Sequence, residues 1–188
     1  MYLSRAITNK QGTDPQYWHK MVFDFFPNPD ANRDFLFRVD NSSETNTALW
    51  MFSNREPIKP KWCSDIKCKN IDAKAANVGD SFLFDIVIHP AESKTGKGVV
   101  TIPFENIPEW FYKKCKSNGF SISDVAIGDP VIHNVVRPQN KGGRHLIQEV
   151  MICGQLIVDD KELFEKAYTQ GIGRSRSFGF GMLMLRRG

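Results

Sequence analysis

Gly171-Ile172-Gly173-Arg174-Ser175-Arg176-Ser177-Phe178-Gly179-Phe180-Gly181, running into Met182-Leu183-Met184-Leu185, is the stretch whose reading decides the fold. Four glycines and two arginines stand here without an acidic residue, and an apolar run follows. Glycine reaches φ > 0 and lets two backbones approach closely, so the stretch predicts sharp turns and then a final buried strand. Successive amides in such turns can form a concave nest for an anion. Arginine adds planar, permanently charged donors suited to phosphate oxygens. A plainer reading stands beside that one: Gly171 falls where a preceding helix should end, as a cap before the turn. The apolar tail is too short to span a membrane.

The 188 residues are 41% hydrophobic and 12% aromatic, enough to fill a core and to exclude wholesale disorder. That length suits one ordinary domain or two small ones. A formal charge of +4 and a pI near 8.9 are mildly basic, which suits nucleic acid without deciding for it. Lys113, Lys114 and Lys116 gather positive charge, whereas Asp159, Asp160, Glu162 and Glu165 gather the opposite sign elsewhere. Cys63, Cys68, Cys115 and Cys153 show no CxxC spacing and no paired histidine motif. Reduced thiols are therefore expected, rather than a zinc site or a disulfide framework. Met1 to Arg5 alternates like a strand and lacks the apolar core of a signal peptide. The expectation is a cytoplasmic protein with no membrane partner.

Taken in order, Tyr2 to Thr8 reads as a strand, and Asp14-Pro15 as a helix start with Asp as N-cap and Pro at the first helical position. Trp18, Met21, Val22 and Phe25 make one apolar stripe. Phe35 to Asp40 and Thr47 to Ser53 read as strands. A short helix is expected near Trp62 to Lys67, a strand near Ile71 to Ala75, and another over Phe82 to His89. That order is the ferredoxin-like β-α-β-β-(α)-β pattern. Pro90 to Gly98, rich in Gly, Lys and Ser, is expected to be the linker between domains at 1–92 and 99–188. Beyond it come a helix over Pro108 to Ser117, strand material from Ser121 to Val136, a basic turn from Arg137 to Arg144, and a long strand to Val158. A helix through Leu163, Phe164, Ala167 and Tyr168, capped by Asp159 or Asp160, precedes the opening stretch. The fold class is α+β, two ferredoxin-like (RRM-like) domains in tandem, with a single larger α+β domain as the alternative.

Chemistry narrows to few residues. His89 reads as a surface or boundary residue, and His133 has no obvious partner. His145 adjoins Arg144 in the basic turn and suits a phosphate contact better than catalysis. His19 lies one turn into the first helix beside the apolar stripe and is followed by Lys20. An imidazole can exchange a proton near neutral pH, and the lysine can stabilise phosphate charge. On spacing alone a half-exposed structural histidine is the favoured reading. No metal-ligand cluster, nucleophile elbow or P-loop spacing is present, so neither a metal nor a cofactor is expected. Arg176 to Gly181 superficially matches the aromatic strand motif of RRM domains, although its aromatics could equally fill core.

Several features together make the chain resemble the CasE family, CRISPR repeat (pre-crRNA) endoribonucleases of type I-E Cascade systems. They are the Met1-Tyr2-Leu3-Ser4 start, His19 ahead of Phe26-Pro27, the strand Asp34-Phe35-Leu36-Phe37-Arg38-Val39, and the ending Gln170-Gly171-Ile172-Gly173 with Phe178-Gly179-Phe180-Gly181-Met182-Leu183. The resemblance spans nearly the whole chain. It implies metal-independent cleavage at the 3′ base of a repeat stem-loop by 2′-hydroxyl attack, leaving a 2′,3′-cyclic phosphate and a 5′-hydroxyl. The enzyme would then stay on the crRNA hairpin among other effector subunits.

In that family His19 occupies the catalytic-histidine position, as general base. Where family members often carry a tyrosine three residues earlier, this chain has Gln16, and Tyr17 stands two residues before, about 200° around a helix. Tyr17 is the second catalytic candidate, with core filling as its alternative. RNA contacts are expected from Arg5, Lys20, Arg137, Lys141, Arg144, His145, Arg174 and Arg176, with Gly171, Gly173, Gly179 and Gly181 shaping the loop. A catalytically weak hairpin-binding subunit and an unrelated RRM-type binder are the competing readings.

Overall fold

The structure, a computed structural model, describes residues 1–27, 33–41, 45–96, 98–136 and 144–188, and of Val136, Arg144 and His145 the backbone alone. Its first sheet is built from β1 (Tyr2–Thr8), β2 (Phe35–Asp40), β3 (Thr47–Ser53) and β4 (Asp65–Asn70), ordered β2-β3-β1-β4 with antiparallel neighbours. Helix α1 (Pro15–Met21) starts as expected: the Asp14 carboxylate accepts from the Gln16 N–H at 2.9 Å, and Pro15 needs no partner in the first turn. A 3-10 turn over Val22–Phe25 extends it. Trp18, Val22 and Phe25 are buried on Ala6, Phe35, Phe37, Leu49 and Met51. Each such side chain contributes about 1.5–3 kcal/mol by leaving water.

The second sheet takes β5 (Ser81–Ile88), β8 (Phe120–Ile127), β10 (Arg144–Val158) and β11 (Leu183–Arg186) in the order β11-β5-β10-β8. A small hairpin of β6 (Ala91–Lys94) and β7 (Gly98–Thr101) leads to α2 (Ile107–Ser117). β9 (Val131–Val136) pairs with the start of β10, and α3 (Lys161–Gln170) precedes β11. Asp160 caps α3, its carboxylate accepting from the Leu163 N–H at 3.0 Å. Trp110, Phe111 and Cys115 of α2 and Phe164 and Ala167 of α3 pack on one face of this sheet. Both sheets place their four strands in the neighbour order last-first-third-second, the ferredoxin-like arrangement. The tandem ferredoxin-like class expected from the sequence is the observed one, the first unit lacking a helix between β3 and β4 among the described residues.

Three expectations are corrected. The segment Trp62 to Lys67 is not a helix, for Asp65 onward forms β4, paired with β1 on one side only. It is an exposed edge carrying Lys67 and Lys69, so it lacks the apolar periodicity by which a strand is recognised. Ile71 to Ala75 is turn rather than strand: the Asp72 carboxylate accepts from the Lys74 N–H at 2.9 Å, an Asx turn. The strand over Phe82 to His89 exists as β5 but belongs to the second sheet, pairing with β10 and β11. The sheets therefore part between Asn70 and Ser81, and Pro90 to Gly98 carries β6 and its turn rather than a link between sheets. An apolar run announces a strand without saying which sheet will take it.

β2 joins the two units. Although it is an edge strand, it is buried on both faces. Phe35 and Phe37 face α1, while Leu36 joins Phe52, Ala73 and Met182 in a cluster between the sheets. Arg38 crosses to Asp85 on β5 as a nearly buried ion pair, and Arg186 approaches the other carboxylate oxygen at 3.6 Å.

No disulfide forms among the four cysteines. Burial pushes the Cys115 thiol up to about 12 and raises that of Cys63, while Cys68 is exposed on β4. Because the thiolate is the reacting species, a thiol reagent at pH 8 is expected to modify Cys68 promptly. Cys63 and Cys115 should react only on denaturation, and mass mapping of the labelled sites checks this.

Candidate functional site

His19 is held by the glycine-rich loop. Its Nδ1 lies 2.7 Å from the carbonyl oxygen of Ser177, 158 residues away in sequence. A carbonyl only accepts, so Nδ1–H donates, and in the neutral ring Nε2 keeps the lone pair. The imidazole is half-buried, with the Phe23 ring edge-on at 5.5 Å and the Phe178 ring tilted at 5.6 Å. Contacts on three sides fix the ring and leave one nitrogen available as a base.

The loop that does this is closed on itself. Gly171 ends α3 with φ of 78°, its N–H donating to the Ala167 carbonyl at 2.9 Å, as the plainer reading expected. The Ile172 N–H donates to Gly181 O at 2.8 Å, and the Gly181 N–H donates to Val87 O on β5 at 2.7 Å. A Cβ at Gly181 would lie 2.1 Å from the Ile172 oxygen, so no other residue fits there. At Gly179, with φ of 94°, a Cβ would meet the Phe37 ring at 3.0 Å. Gly173 likewise has positive φ. The glycines thus dock the loop against both units and aim the Ser177 carbonyl at α1.

Beside the loop opens a groove of about 1010 Å³ whose lining includes Arg33, Lys114, Lys166, Arg174 and Arg176, with Glu92 as its acid, and Ser177 itself. Arg174 hydrogen-bonds Ser93 Oγ, and Arg176 Nη1 donates to Gln170 O at 2.7 Å. Arg33 escaped the sequence reading, since a lone arginine ahead of a strand carries no pattern. Burial, and secondarily the like charge of Arg176, lower its pKa, and its Nη1 is buried without a hydrogen-bond partner among the described residues. Two guanidiniums repelling each other in a groove are relieved by an anion between them.

The other expected residues fall as follows. Lys20 is exposed on α1 next to His19. Tyr17 packs edge-on against Trp18 at 5.0 Å and on the first core, and none of its described contacts is with His19. Arg5 sits on the face of the first sheet away from α1, its guanidinium over Trp50 at 5.5 Å. Arg137 and Lys141 lie outside the described residues, as do the side chains of Arg144 and His145. The flanking strands pair, Val136 with Arg144.

Two histidine readings are corrected. His89 is 1% exposed, with Nδ1 3.0 Å from Gln148 O, because β5 lies inside the second sheet. His133 has a partner: Nε2 lies 2.7 Å from Glu149 Oε2. The RRM-type platform is also corrected. Phe178 lies in a 3-10 turn and Phe180 is only 3% exposed, so they do not form an open stacking strand. Among the described residues no three His, Cys, Asp or Glu side chains gather as a metal set, and no helix is long and apolar enough to cross a membrane.

Fold and site together define a class: tandem ferredoxin-like proteins with a histidine of the first unit clasped by a glycine-rich, basic loop of the second. The chain belongs to the CRISPR associated protein family, whose model matches residues 1–187. It is 27% identical over 201 residues to the CRISPR system Cascade subunit CasE of Escherichia coli strain K12, covering 98% of each chain. Among solved structures it resembles Thermus thermophilus Cse3 bound to an RNA representing a pre-cleavage complex, with a TM-score of 0.79 and 18% identity over 98% of each chain. It also resembles the CRISPR-associated protein Cas6e from Escherichia coli K-12, with a TM-score of 0.73 and 24% identity over 100% of each.

Proposed function

We propose that this protein is a metal-independent endoribonuclease that cuts CRISPR precursor RNA at the 3′ base of the repeat stem-loop and then stays on the crRNA hairpin as a Cascade-like subunit. The carrying observation is the bond between His19 Nδ1 and Ser177 O, which leaves Nε2 as the base beside a basic groove. The family and the CasE relative support the same reading. Nε2 takes the proton of the ribose 2′-hydroxyl, whose oxygen attacks the adjacent phosphorus. The bond from phosphorus to the 5′-oxygen breaks, that oxygen takes a proton from solvent water, and the imidazolium returns its proton to solvent. The products are a 2′,3′-cyclic phosphate and a 5′-hydroxyl. Arg33 and Arg176 hold the phosphate backbone, with Arg174, Lys20, Arg137, Lys141, Arg144 and His145 as further contacts; Gly171, Gly173, Gly179 and Gly181 shape the platform. Tyr17, packed against Trp18, has a structural role.

The test is incubation with the cognate repeat RNA in EDTA. One cut at the base of the stem is expected, and cleavage that stops without divalent metal would refute metal independence. A second reading, a hairpin-binding subunit with weak activity, is favoured by Gln16 standing where the family often has tyrosine; it predicts tight binding with little product in the same tube. Arg33→Ala is expected to weaken RNA binding and to lower the slope of log K against log salt by about 0.7–0.9. Filter binding across a salt series measures it.

A further inference from the structure

A pocket of about 210 Å³ opens between the two units, with Trp18, the chain neighbour of His19, in its wall. Gly12, Thr13 and Trp18 close it from the first unit, and His133, Glu149 and Phe178 from the second. Nothing in the catalytic reading uses it. Ser177 lines the groove and its chain neighbour Phe178 lines the pocket, with the Phe178 ring 5.6 Å from that of His19. A nucleotide whose phosphate lies at His19 can therefore turn its base toward the pocket.

The lining has the chemistry of base recognition: aromatic rings beside a small set of fixed polar groups. His133 Nε2 lies 2.7 Å from Glu149 Oε2, with side-chain exposures of 12% and 35%. An ionised carboxylate only accepts, so the imidazole donates, and Glu149 keeps further lone pairs for a second donor. Those lone pairs select a base with an exocyclic amine, as on adenine, cytosine or guanine. Uracil offers a single N–H flanked by two carbonyl acceptors, which the carboxylate would oppose.

We propose that this pocket takes the unpaired base on the 3′ side of the scissile phosphate and selects an exocyclic amine through Glu149. The proposal rests on the endoribonuclease reading and adds a specificity-determining residue to it. Single-turnover cleavage of the repeat hairpin is measured with each of the four bases, and an abasic residue, at that one position. Wild-type protein is expected to cut the uridine and abasic RNAs roughly 10- to 100-fold more slowly than the best amine-bearing one. Glu149→Leu should cut the amine-bearing RNA as slowly as wild type cuts the uridine RNA, and lose the preference. Because the wild-type series needs no variant, it stands even if Glu149→Leu fails to fold. Indifference of wild type to the base, or a preference for uridine, would overturn the pocket and leave the nuclease reading intact; so would an unchanged preference in a folded Glu149→Leu protein. A wild type that cuts no repeat hairpin would overturn both.

Discussion

His19→Ala is expected to slow cleavage of the cognate repeat hairpin by about 10²–10⁴-fold, the usual worth of a positioned general base, while hairpin affinity stays within a few-fold. The two effects separate because of where the imidazole sits. On the proposed reading the phosphates are held by the charge of Arg33, Lys166, Arg174 and Arg176, which line the groove, whereas His19 adds one nitrogen beside it. Alanine also removes the hydrogen bond to Ser177 O, which costs about 1 kcal/mol of stability. That is too little to unfold a domain with its core intact. Single-turnover rates and filter binding on the same preparation check both halves. A His19→Ala protein that cuts normally would remove His19 from the chemistry.

Asp85→Ala is expected to destabilise the protein by about 3–5 kcal/mol, the cost of leaving a buried charge without its partner. Arg38 and Asp85 have side-chain exposures of 10% and 16%, and among the described residues the Arg38 Nε is already buried without a hydrogen-bond partner. The pair ties β2 of the first sheet to β5 of the second, so its loss loosens the junction on which the loop docks. Arg186, 72% exposed and 3.6 Å from the same carboxylate, provides the contrast. Arg186→Ala should change stability by no more than about 1 kcal/mol, since solvent screens it. Urea unfolding of the two variants side by side distinguishes a buried tie from a decorative one.

Much of this fold could be read from local chemistry. Asp14-Pro15 announced α1, Gly171 announced the end of α3, the alternation at the start of the chain announced β1, and the short apolar runs Phe35 to Asp40 and Thr47 to Ser53, parted by a polar stretch, announced β2 and β3. What failed was information held only in pairing. β4 is an exposed edge with little apolar content, and the sheet that receives β5 depends on strands more than 60 residues later. The site divides the same way. His19 stood out through the resemblance, but its anchor, a backbone carbonyl at Ser177, has no side-chain signature. His133 and Glu149 are diagonal neighbours on the β9–β10 hairpin, where His133 faces Ile147. Their contact becomes legible once the register is known. Arg33 carries no pattern at all, and only a buried nitrogen without a partner among the described residues and its nearness to Arg176 give it away.

The central claim is that the RNA supplies the nucleophile and His19 removes its proton. The most direct measurement uses a repeat hairpin carrying a single 2′-deoxy substitution at the nucleotide before the scissile phosphate, incubated in EDTA with wild-type protein beside the unmodified RNA. The account predicts equal binding of both RNAs, no cleavage of the deoxy RNA, and a 2′,3′-cyclic phosphate end on the product of the unmodified one. Cleavage of the deoxy RNA at the same bond would contradict it.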